Sequence, residues 1–286
     1  MVLRAAACNE LFGTLPFGKS CDILAELGYT GVEIAPYTLF GDFSAAAIAS
    51  GLAVAKRALA SSGLAFAGFH WLLVKPEGLH ITTDDAGLRH RSWDHVGRLL
   101  DAAAELGGGN LILGSPKQRS AGAGRKPSEA AAVLWDELAA IAPRAVAAGS
   151  AILLEALDAG QTDVVNTIAE AIAIVDSIDS PGVGTMFDFH NTGSESEGWV
   201  ELIRRHGGHI RHVHVNELDG GHPGGGKSDF GPAFRALAEA RYSGWTSIEI
   251  FTTPSDPSAV LSESMSLFMK LGLALAPPVM GRRSHE

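Results

Sequence analysis

The sequence predicts a single-domain (β/α)₈ barrel, the fold also called a TIM barrel. Short apolar runs alternate eight times with long Ala- and Leu-rich stretches of helical period, which is typical of parallel strands joined by crossover helices. Glycines that suit helix ends, such as Gly28, Gly107 and Gly149, stand shortly before several of these runs. The 286 residues and the 46% hydrophobic content provide for one large core. Eight strand–helix units in this length favour a closed barrel over an open sheet.

The predicted strands are short and mostly apolar, as expected where helices and barrel interior cover both faces. In chain order they are Arg4–Cys8, Gly31–Ile34, Ala65–Phe69, Asn110–Leu113, Ala151–Leu154, Gly182–Phe187, Ile210–Val215 and Thr246–Ile250. The predicted helices carry apolar residues at helical spacing. In chain order they are Phe17–Leu27, Ala45–Ser61, Arg89–Leu106, Glu129–Ala148, Val164–Ile178, Gly198–Arg205, Phe230–Ala240 and Ala259–Leu271. Ser44, Ser128 and Asp163 are candidate capping residues for three of these helices.

The composition of the chain indicates which cellular compartment and which binding partners to expect. The net charge of −10 disfavours nucleic acid or an anionic membrane as a partner. Cys8 and Cys21 lack a CxxC spacing, so neither a disulfide framework nor a thiolate metal site is expected. The apolar N-terminal stretch is too short for a signal peptide, and no segment has the length of a membrane span. We expect a soluble cytoplasmic protein with a barrel over residues 1–275 and a flexible tail over 276–286; homo-oligomer formation stays open.

Functional residues of a (β/α)₈ barrel lie at the carboxyl ends of the strands and in the loops that follow them. Polar residues occupy this position in every predicted unit. In strand order they are Asn9 with Glu10, Glu33, His70, the loop Gly114–Arg119, Glu155, Asp188, His214 and Glu249. Their side chains are therefore expected to share one rim of the barrel.

The seventh strand carries two histidines that alternate with valines. Successive side chains of a strand point to opposite faces, so Val213 and Val215 are expected on one face and His212, His214 and Asn216 on the other. Imidazoles at the end of a buried strand indicate a functional site. For His212, a hydrogen-bonded core histidine is an equally open interpretation.

Four strand-end residues form a candidate metal site. Buried carboxylates repel one another unless a cation lies between them, although each one alone is also compatible with pairing to Arg or Lys. Three carboxylate oxygens and one imidazole nitrogen favour a divalent ion, Mn²⁺ first, with Mg²⁺, Co²⁺ or Zn²⁺ as other candidates. The predicted ligands are Glu155, Asp188, His214 and Glu249.

An ion in such a site polarises the carbonyl of a hydroxy-ketone and acidifies the neighbouring C–H bond. A carboxylate then takes the proton, and the ion holds the resulting enediolate. Glu155 and Glu249, on the fifth and eighth strands, are expected to address opposite faces of the reacting carbon. Return of the proton from the other face inverts a stereocentre, whereas return to the adjacent carbon moves the carbonyl.

Three stretches carry a resemblance to a known family: Cys8–Gly13 (CNELFG), Gly28–Glu33 (GYTGVE) and Ser247–Phe251 (SIEIF). Over nearly its whole length the chain is similar to the sugar phosphate isomerase/epimerase family of xylose isomerase-like barrels, and within it to the D-tagatose/D-psicose 3-epimerases. The resemblance implies the same four metal ligands, with Glu155 and Glu249 also acting as the acid/base pair. It implies a metal-dependent isomerase or epimerase that acts on a small carbohydrate.

The chain departs from the 3-epimerase pattern at three positions. Gln161 stands where the epimerases have a second Glu, and Gly220 stands where they have an Arg. Asn191 stands where they have a His, with His190 one place away. These groups hold the epimerases' sugar, so the resemblance leaves the substrate and the reaction open. Inosose dehydratases and hydroxypyruvate isomerases resemble the chain in the same four ligands.

Several polar residues near the predicted rim are candidate substrate contacts. They are Glu33, His70, Lys117, Arg119, Gln161, His190, Asn216 and His222. Lys117 and Arg119 suit a phosphate or a carboxylate, although a solvated loop is equally compatible with them. His222 lies in Asp219–Gly226, whose glycines favour either a lid over the substrate or a plain flexible connector.

Three other functions are weighed against an isomerase or epimerase. A lyase that removes a group from a keto-inositol or a 3-keto-sugar needs the same metal site and differs in the fate of the enediolate. A type-IV apurinic endonuclease shares the barrel but needs three zinc ions, and this chain has Ser115 and Asp229-Phe230-Gly231 where histidine ligands are required. Its negative charge also opposes DNA binding. A non-catalytic sugar-binding barrel does not need three carboxylates around a metal.

Overall fold

A computed structural model describes residues 2–277 of the chain. Eight parallel strands close into a barrel, because the first strand pairs with both the second and the eighth. The predicted single-domain (β/α)₈ fold is confirmed. The strands are β1 (Val2–Cys8), β2 (Gly31–Ile34), β3 (Ala65–Phe69), β4 (Asn110–Leu113), β5 (Ala151–Leu154), β6 (Val183–Asp188), β7 (Ile210–Val215) and β8 (Trp245–Ile248).

Helices follow the strands and cover the outside of the barrel. They are α1 (Phe17–Glu26), α2 (Ala45–Ser62), α3 (Ala86–Glu105), α4 (Pro116–Arg119), α5 (Pro127–Ala147), α6 (Ile168–Ile178), α7 (Trp199–His206), α8 (Gly231–Glu239) and α9 (Pro257–Lys270). Two 3₁₀ turns, Asn9–Phe12 and Pro36–Thr38, follow β1 and β2. Within residues 2–277, the helices all lack the length or the apolar character that a membrane span requires.

The start of α6 differs from the sequence prediction. The helix begins at Ile168 instead of Val164, because Val165 has a left-handed φ of 61° and cannot belong to its first turn. Thr167 caps the helix: its hydroxyl accepts from the Glu170 N–H at 3.2 Å, and the Glu170 carboxylate accepts from the Thr167 N–H at 3.3 Å. This reciprocal capping box fixes the helix start.

Only one of the three predicted capping residues has that role. Ser44 caps α2 through its side chain, as predicted. Ser128 lies inside α5, because the helix already begins at Pro127, and proline suits the first turn, where no intrahelical N–H bond is lost. Asp163 precedes α6 and instead accepts a hydrogen bond from the Ala121 N–H at 2.8 Å.

A short strand that the sequence pattern does not predict extends the sheet beside the barrel. This strand, β9 (Ala274–Leu275), pairs in parallel with the start of β1. Just after it, the Ala276 N–H donates to the Leu3 carbonyl at 2.8 Å. The predicted flexible tail begins at residue 276, and its part from residue 278 onwards lies outside the described residues.

The barrel wall divides the core into an outer and an inner part. Val213 and Val215 belong to the large apolar cluster between strands and helices, as the alternation on β7 predicts. Inside the barrel the apolar clusters are small; one consists of Ile112, Ala151, Leu153 and Met186. Polar buried residues fill other inward positions, among them Glu33, His212, His214 and Ser247. These groups need partners inside the barrel.

Gly68 allows β3 and β4 to approach closely. A Cβ atom at this position would overlap the backbone carbonyl of Asn110, which cannot move aside without disturbing the sheet. We expect Gly68→Ala to lower the free energy of unfolding by about 1–3 kcal/mol, measured by urea denaturation. Gly18→Ala is the control, since a Cβ there meets nothing within 4 Å, and it should not lower stability. Equal stability of the two variants would contradict this role of Gly68.

Candidate active site

Four side chains come together at the carboxyl ends of β5 to β8. Possible ligand atoms of Glu155, Asp188, His214 and Glu249 all lie within 4.8 Å of one another, and the four residues are buried. The strand register explains their meeting: Asp188 is the partner of His214, and His214 is the partner of Ser247, two residues before Glu249. The structure thus brings the four predicted metal ligands to one place.

A cavity of about 250 Å³ opens over this cluster. Beside three of the clustered residues, its polar lining includes His70, Gln161, His190 and Asn191. Its apolar lining includes Trp71, Ile112, Pro116, Leu157 and Phe251. A few polar groups within a largely apolar wall are typical of a site for a small molecule.

The cluster holds a surplus of negative charge. Burial raises the pKa of Glu155 well above its usual range, and the carboxylates of Asp188 and Glu249 raise it further. Burial also raises the pKa of Glu249, against the opposing charge of His214. For Asp188 burial acts in the same direction, but the imidazole of His214 outweighs it and lowers the pKa. Burial alone would lower the pKa of His214, yet Glu249 and Glu33 raise it well above normal. Such a site favours a cation.

Two neutral amides hold the acidic cluster together. Asn191 Nδ2 donates to Glu155 Oε1 at 2.9 Å and to Asp188 Oδ2 at 3.1 Å. Gln161 Nε2 donates to Asn191 Oδ1 at 2.6 Å. Gln161 thus lines the cavity as predicted but also orients Asn191. The sequence prediction did not include Asn191 among the site residues, although its position three residues after Asp188 was a signal.

Glu33 lies beneath the cluster and does not line the cavity. It is fully buried, and its Oε1 accepts a hydrogen bond from His214 Nε2 at 3.0 Å. Its Oε2 is 2.8 Å from His212 Nε2. Burial acts to raise the pKa of Glu33, but the two imidazoles lower it well below its usual range. The predicted substrate contact is therefore corrected: Glu33 supports His214 from inside the barrel.

His212 is a hydrogen-bonded core histidine, one of the two interpretations that the sequence left open. Its Nδ1 lies 3.2 Å from Asn110 Nδ2, and its Nε2 lies 3.1 Å from Ser247 Oγ and 2.8 Å from Glu33 Oε2. Burial lowers its pKa, which favours the neutral ring. The residue contacts Glu33 and lies one layer below the cavity.

Two residues close behind strand ends, Glu10 and Trp71, join the site; Glu10 was expected at the rim, but neither was among the predicted metal ligands or substrate contacts. His70 lines the cavity, and its Nε2 is 2.6 Å from Glu10 Oε2. Trp71 Nε1 donates to Glu249 Oε1 at 3.2 Å, and its backbone has a left-handed φ of 53°. The only sequence signal for either residue is its position after a strand.

Arg119 and Lys117 do not line the cavity. Arg119 is fully buried; its Nη1 donates to the Leu113 carbonyl at 3.0 Å and its Nη2 to the Val165 carbonyl at 3.3 Å. Burial lowers its pKa to about 10, against the opposing charge of Glu155. Lys117 is exposed on the short helix α4. Both predicted substrate contacts are corrected, and the solvated-loop alternative applies to Lys117 alone.

Asn216 holds the loop after β6 through a hydrogen bond to the loop backbone. It is fully buried, and its Oδ1 accepts from the backbone N–H of His190 at 2.9 Å. It does not line the cavity, so its predicted substrate contact is corrected. The His190 ring does line it and packs edge-on against Phe251, with ring centroids 4.7 Å apart.

The glycine-rich loop Asp219–Gly226 is anchored to α9 and does not itself line the cavity. His222 Nε2 is 2.8 Å from Glu263 Oε2 on α9. The buried carboxylate of Glu217 accepts from the Ser228 N–H at 3.1 Å and so closes the base of the loop. These bonds favour the connector over the lid, and His222, a predicted substrate contact, does not line the cavity.

Phe251 occupies the space that a side chain at position 220 would need. Gly220 has a left-handed φ of 81°, and a Cβ there would overlap the Phe251 ring. The two residues are also joined by a hydrogen bond from the Phe251 N–H to the Gly220 carbonyl at 3.1 Å. The arginine of the 3-epimerase pattern is thus replaced by an aromatic cavity wall.

Comparison with known proteins gives consistent matches over most of the chain. The family model of the xylose isomerase-like TIM barrels matches residues 21–271. A ketose 3-epimerase from Arthrobacter globiformis is 26% identical over 78% of this chain and 74% of its own length. A D-psicose 3-epimerase from Agrobacterium fabrum is 26% identical over 82% of this chain and 79% of its own length. The crystal structure of a 3-keto-D-glucoside 4-epimerase from E. coli has a TM-score of 0.81 at 20% identity and covers 94% of this chain and 99% of that one.

A charge added at Asn191 tests the electrostatics of the cluster. In Asn191→Asp the donor between Glu155 and Asp188 becomes a fourth carboxylate of the cluster, so the folded state must take up a proton or bear the repulsion. We expect the free energy of unfolding at pH 8, without added metal ion, to fall by about 2 kcal/mol or more. The new group raises carboxyl pKa values in the folded state, so the loss should shrink as the pH falls towards 5.

Urea denaturation at both pH values measures this effect. Gln118→Glu adds the same charge at a half-buried side chain on α4 that does not hydrogen-bond to the cluster, and it is the matched control, with a smaller expected loss. If both variants lose the same stability, or if the Asn191→Asp loss does not depend on pH, the described hydrogen-bond pattern is wrong.

Proposed function

This chain belongs to the xylose isomerase-like TIM barrel family, and from this premise we propose that it is a sugar isomerase or epimerase. One observation supports the proposal most directly. In the cluster of four residues along the barrel rim, Glu155 and Glu249 occupy the two ends, and Asp188 and His214 lie between them. One glutamate removes a proton next to a ketose carbonyl, and the other returns a proton from the far side. The names of the relatives, which include a ketose 3-epimerase, agree with this reaction class.

We further propose that this cluster holds one divalent cation, Mn²⁺ first, with Mg²⁺, Co²⁺ or Zn²⁺ as alternatives. Three carboxylates and an imidazole suit a hard or borderline ion. The His214 ring fits as well: its Nε2–H donates to Glu33, while its buried Nδ1 has no hydrogen-bond partner among residues 2–277 and lies 3.0 Å from Glu249 Oε2. When bound, the ion supplies Lewis-acid polarisation of the substrate carbonyl.

The hydrogen bonds of the two glutamates suit proton transfer. Asn191 holds Oε1 of Glu155, and Trp71 holds Oε1 of Glu249, so each carboxylate has a fixed orientation. Burial raises the pKa of both groups. These directions belong to the metal-free site; a divalent cation bound between the two carboxylates would lower both pKa values, so that the ionised carboxylate would be available as the base.

We propose a small ketose or keto-sugar as the substrate. A cavity of about 250 Å³ limits the size of the bound part. His70, Gln161 and His190 line it and offer hydrogen-bonding groups, whereas Trp71 and Phe251 offer aromatic faces to the C–H groups of a sugar. A cytoplasmic location, which the composition predicts, is part of this proposal.

Loss of the carboxylate beneath His214 should weaken metal binding. In Glu33→Gln an amide replaces the acceptor of the His214 Nε2–H, so the imidazole becomes less basic and less well oriented. We expect the Kd for Mn²⁺ to rise by about 10- to 100-fold, measured by isothermal titration calorimetry on chelator-stripped protein. Glu26→Gln is the control, because it removes an exposed carboxylate on α1, away from the cluster. A Kd in Glu33→Gln no higher than in the control would exclude Glu33 as a support of the site.

Removal of the carboxylate of Glu155 or of Glu249 should abolish turnover without unfolding the chain. For Glu155→Gln and Glu249→Gln we expect kcat to fall by at least about 10²-fold, because an amide cannot accept the substrate proton. The measurement uses Mn²⁺ and the best substrate from a panel of ketoses and keto-inositols, with circular dichroism as the check on folding. Glu26→Gln on α1 is the control. Near-normal turnover in either active-site variant would contradict its acid/base role.

The same assay in D₂O separates the isomerase or epimerase from the lyase. Proton removal and return should place solvent deuterium on the carbon next to the carbonyl of the product. Loss of water from a keto-inositol, with no isomerised product, would instead establish the dehydratase reaction on the same residues.

A further inference from the structure

A second cavity lies at the opposite end of the barrel. It measures about 560 Å³. Residues at the amino ends of the strands line it, among them Arg4 on β1, Asn110 on β4, Arg211 on β7 and Trp245 on β8. The proposed sugar chemistry, which takes place at the carboxyl ends, gives this cavity no role.

The cavity is basic, although the chain has a net charge of −10. Arg4, Arg211 and Arg241 line it, and none of its lining residues is Asp or Glu. Within residues 2–277, none of these three arginines forms an ion pair with a carboxylate, whereas five other arginines do. Positive charge is therefore concentrated at one place and left without a protein counter-charge.

Two of the guanidinium groups are fixed in position. Arg4 Cζ lies 3.9 Å from the ring centroid of Trp245, a cation–π contact. Arg211 Nη1 donates to the Pro181 carbonyl at 2.8 Å. Burial lowers the pKa of both arginines. An arginine has five N–H donors, so each contact leaves donors available to a ligand.

Much of the remaining wall is polar or backbone. Asn110 forms part of it and donates from Nδ2 to the buried His212 at 3.2 Å, so the polar barrel interior reaches this cavity. Gly107 and Gly208 also line it, and a Cβ atom at either position would meet nothing within 4 Å. A ligand can therefore approach the backbone at these two glycines.

We propose that this basic cavity binds the phosphate group of a small metabolite. Guanidinium groups pair with oxyanions through two parallel charge-assisted hydrogen bonds. Three guanidinium groups carry more positive charge than one carboxylate group balances, so a phosphate group, with its higher negative charge, is the favoured ligand. The site lies at the barrel pole remote from Glu155 and Glu249, so it is separate from the candidate active site.

Isothermal titration of metal-free protein with inorganic phosphate, at constant ionic strength, tests this proposal. We expect saturable binding to the wild-type and a loss of affinity of about tenfold or more in each of Arg211→Gln and Arg241→Gln. Two variants are used because the Arg211 contact to Pro181 contributes to the fold. Arg204→Gln removes an exposed arginine that is paired with Glu239, and it should bind phosphate like the wild-type.

Malonate and chloride serve as comparison anions. Tighter binding of phosphate than of malonate supports the phosphate assignment, and the reverse order overturns it in favour of a carboxylate ligand. The site itself is excluded if phosphate binds no better than chloride, or if its affinity falls equally in all three arginine variants. Binding here is independent of turnover, so failure of this test leaves the sugar chemistry untouched.

Discussion

The hydrogen bond between His214 and Glu33 is the contact on which the rest of the site depends. Three buried carboxylates meet one imidazole at the end of the barrel, and the free energy of this arrangement is set by the charge and orientation of that ring. Glu33 accepts the Nε2–H at 3.0 Å, which directs Nδ1 towards Glu249 and the cluster. Without this buried acceptor, the ring has no fixed tautomer and no fixed direction.

Around this contact, neutral donors restrain the acids without cancelling their charge. Asn191 bridges Glu155 and Asp188, and Trp71 holds Glu249. A cationic side chain at these places would neutralise the cluster, whereas an amide and an indole orient it and leave it negative. The buried guanidinium of Arg119 hydrogen-bonds to backbone carbonyls instead. The negative field is thus preserved for a ligand.

The two ends of the barrel have opposite electrostatic character. Carboxylates gather at the carboxyl ends of the strands, and arginines without an ion-pair partner in the described part of the chain gather at the amino ends. Between them, Glu33, His212 and Asn110 form a buried chain of polar contacts through the barrel interior. The small size of the apolar clusters inside the barrel follows from this chain, because its members occupy inward positions that aliphatic side chains fill elsewhere.

The pattern of residues along the chain was enough to predict the eight strands and the meeting of Glu155, Asp188, His214 and Glu249, since parallel strands in a closed barrel place all their carboxyl ends on one rim. It also predicted that the valines of β7 face outwards. Which neighbouring polar residues reach the cavity depends instead on how the loops fold in three dimensions. Strand alternation stops where a strand ends, and beyond it the loop conformation directs each side chain. For this reason Arg119, Asn216 and His222 turn away from the cavity while Asn191, Trp71 and Phe251 join it. The role of Glu33 also follows from the folded structure, because its carboxylate is buried against two histidines that are distant in the chain but adjacent inside the barrel.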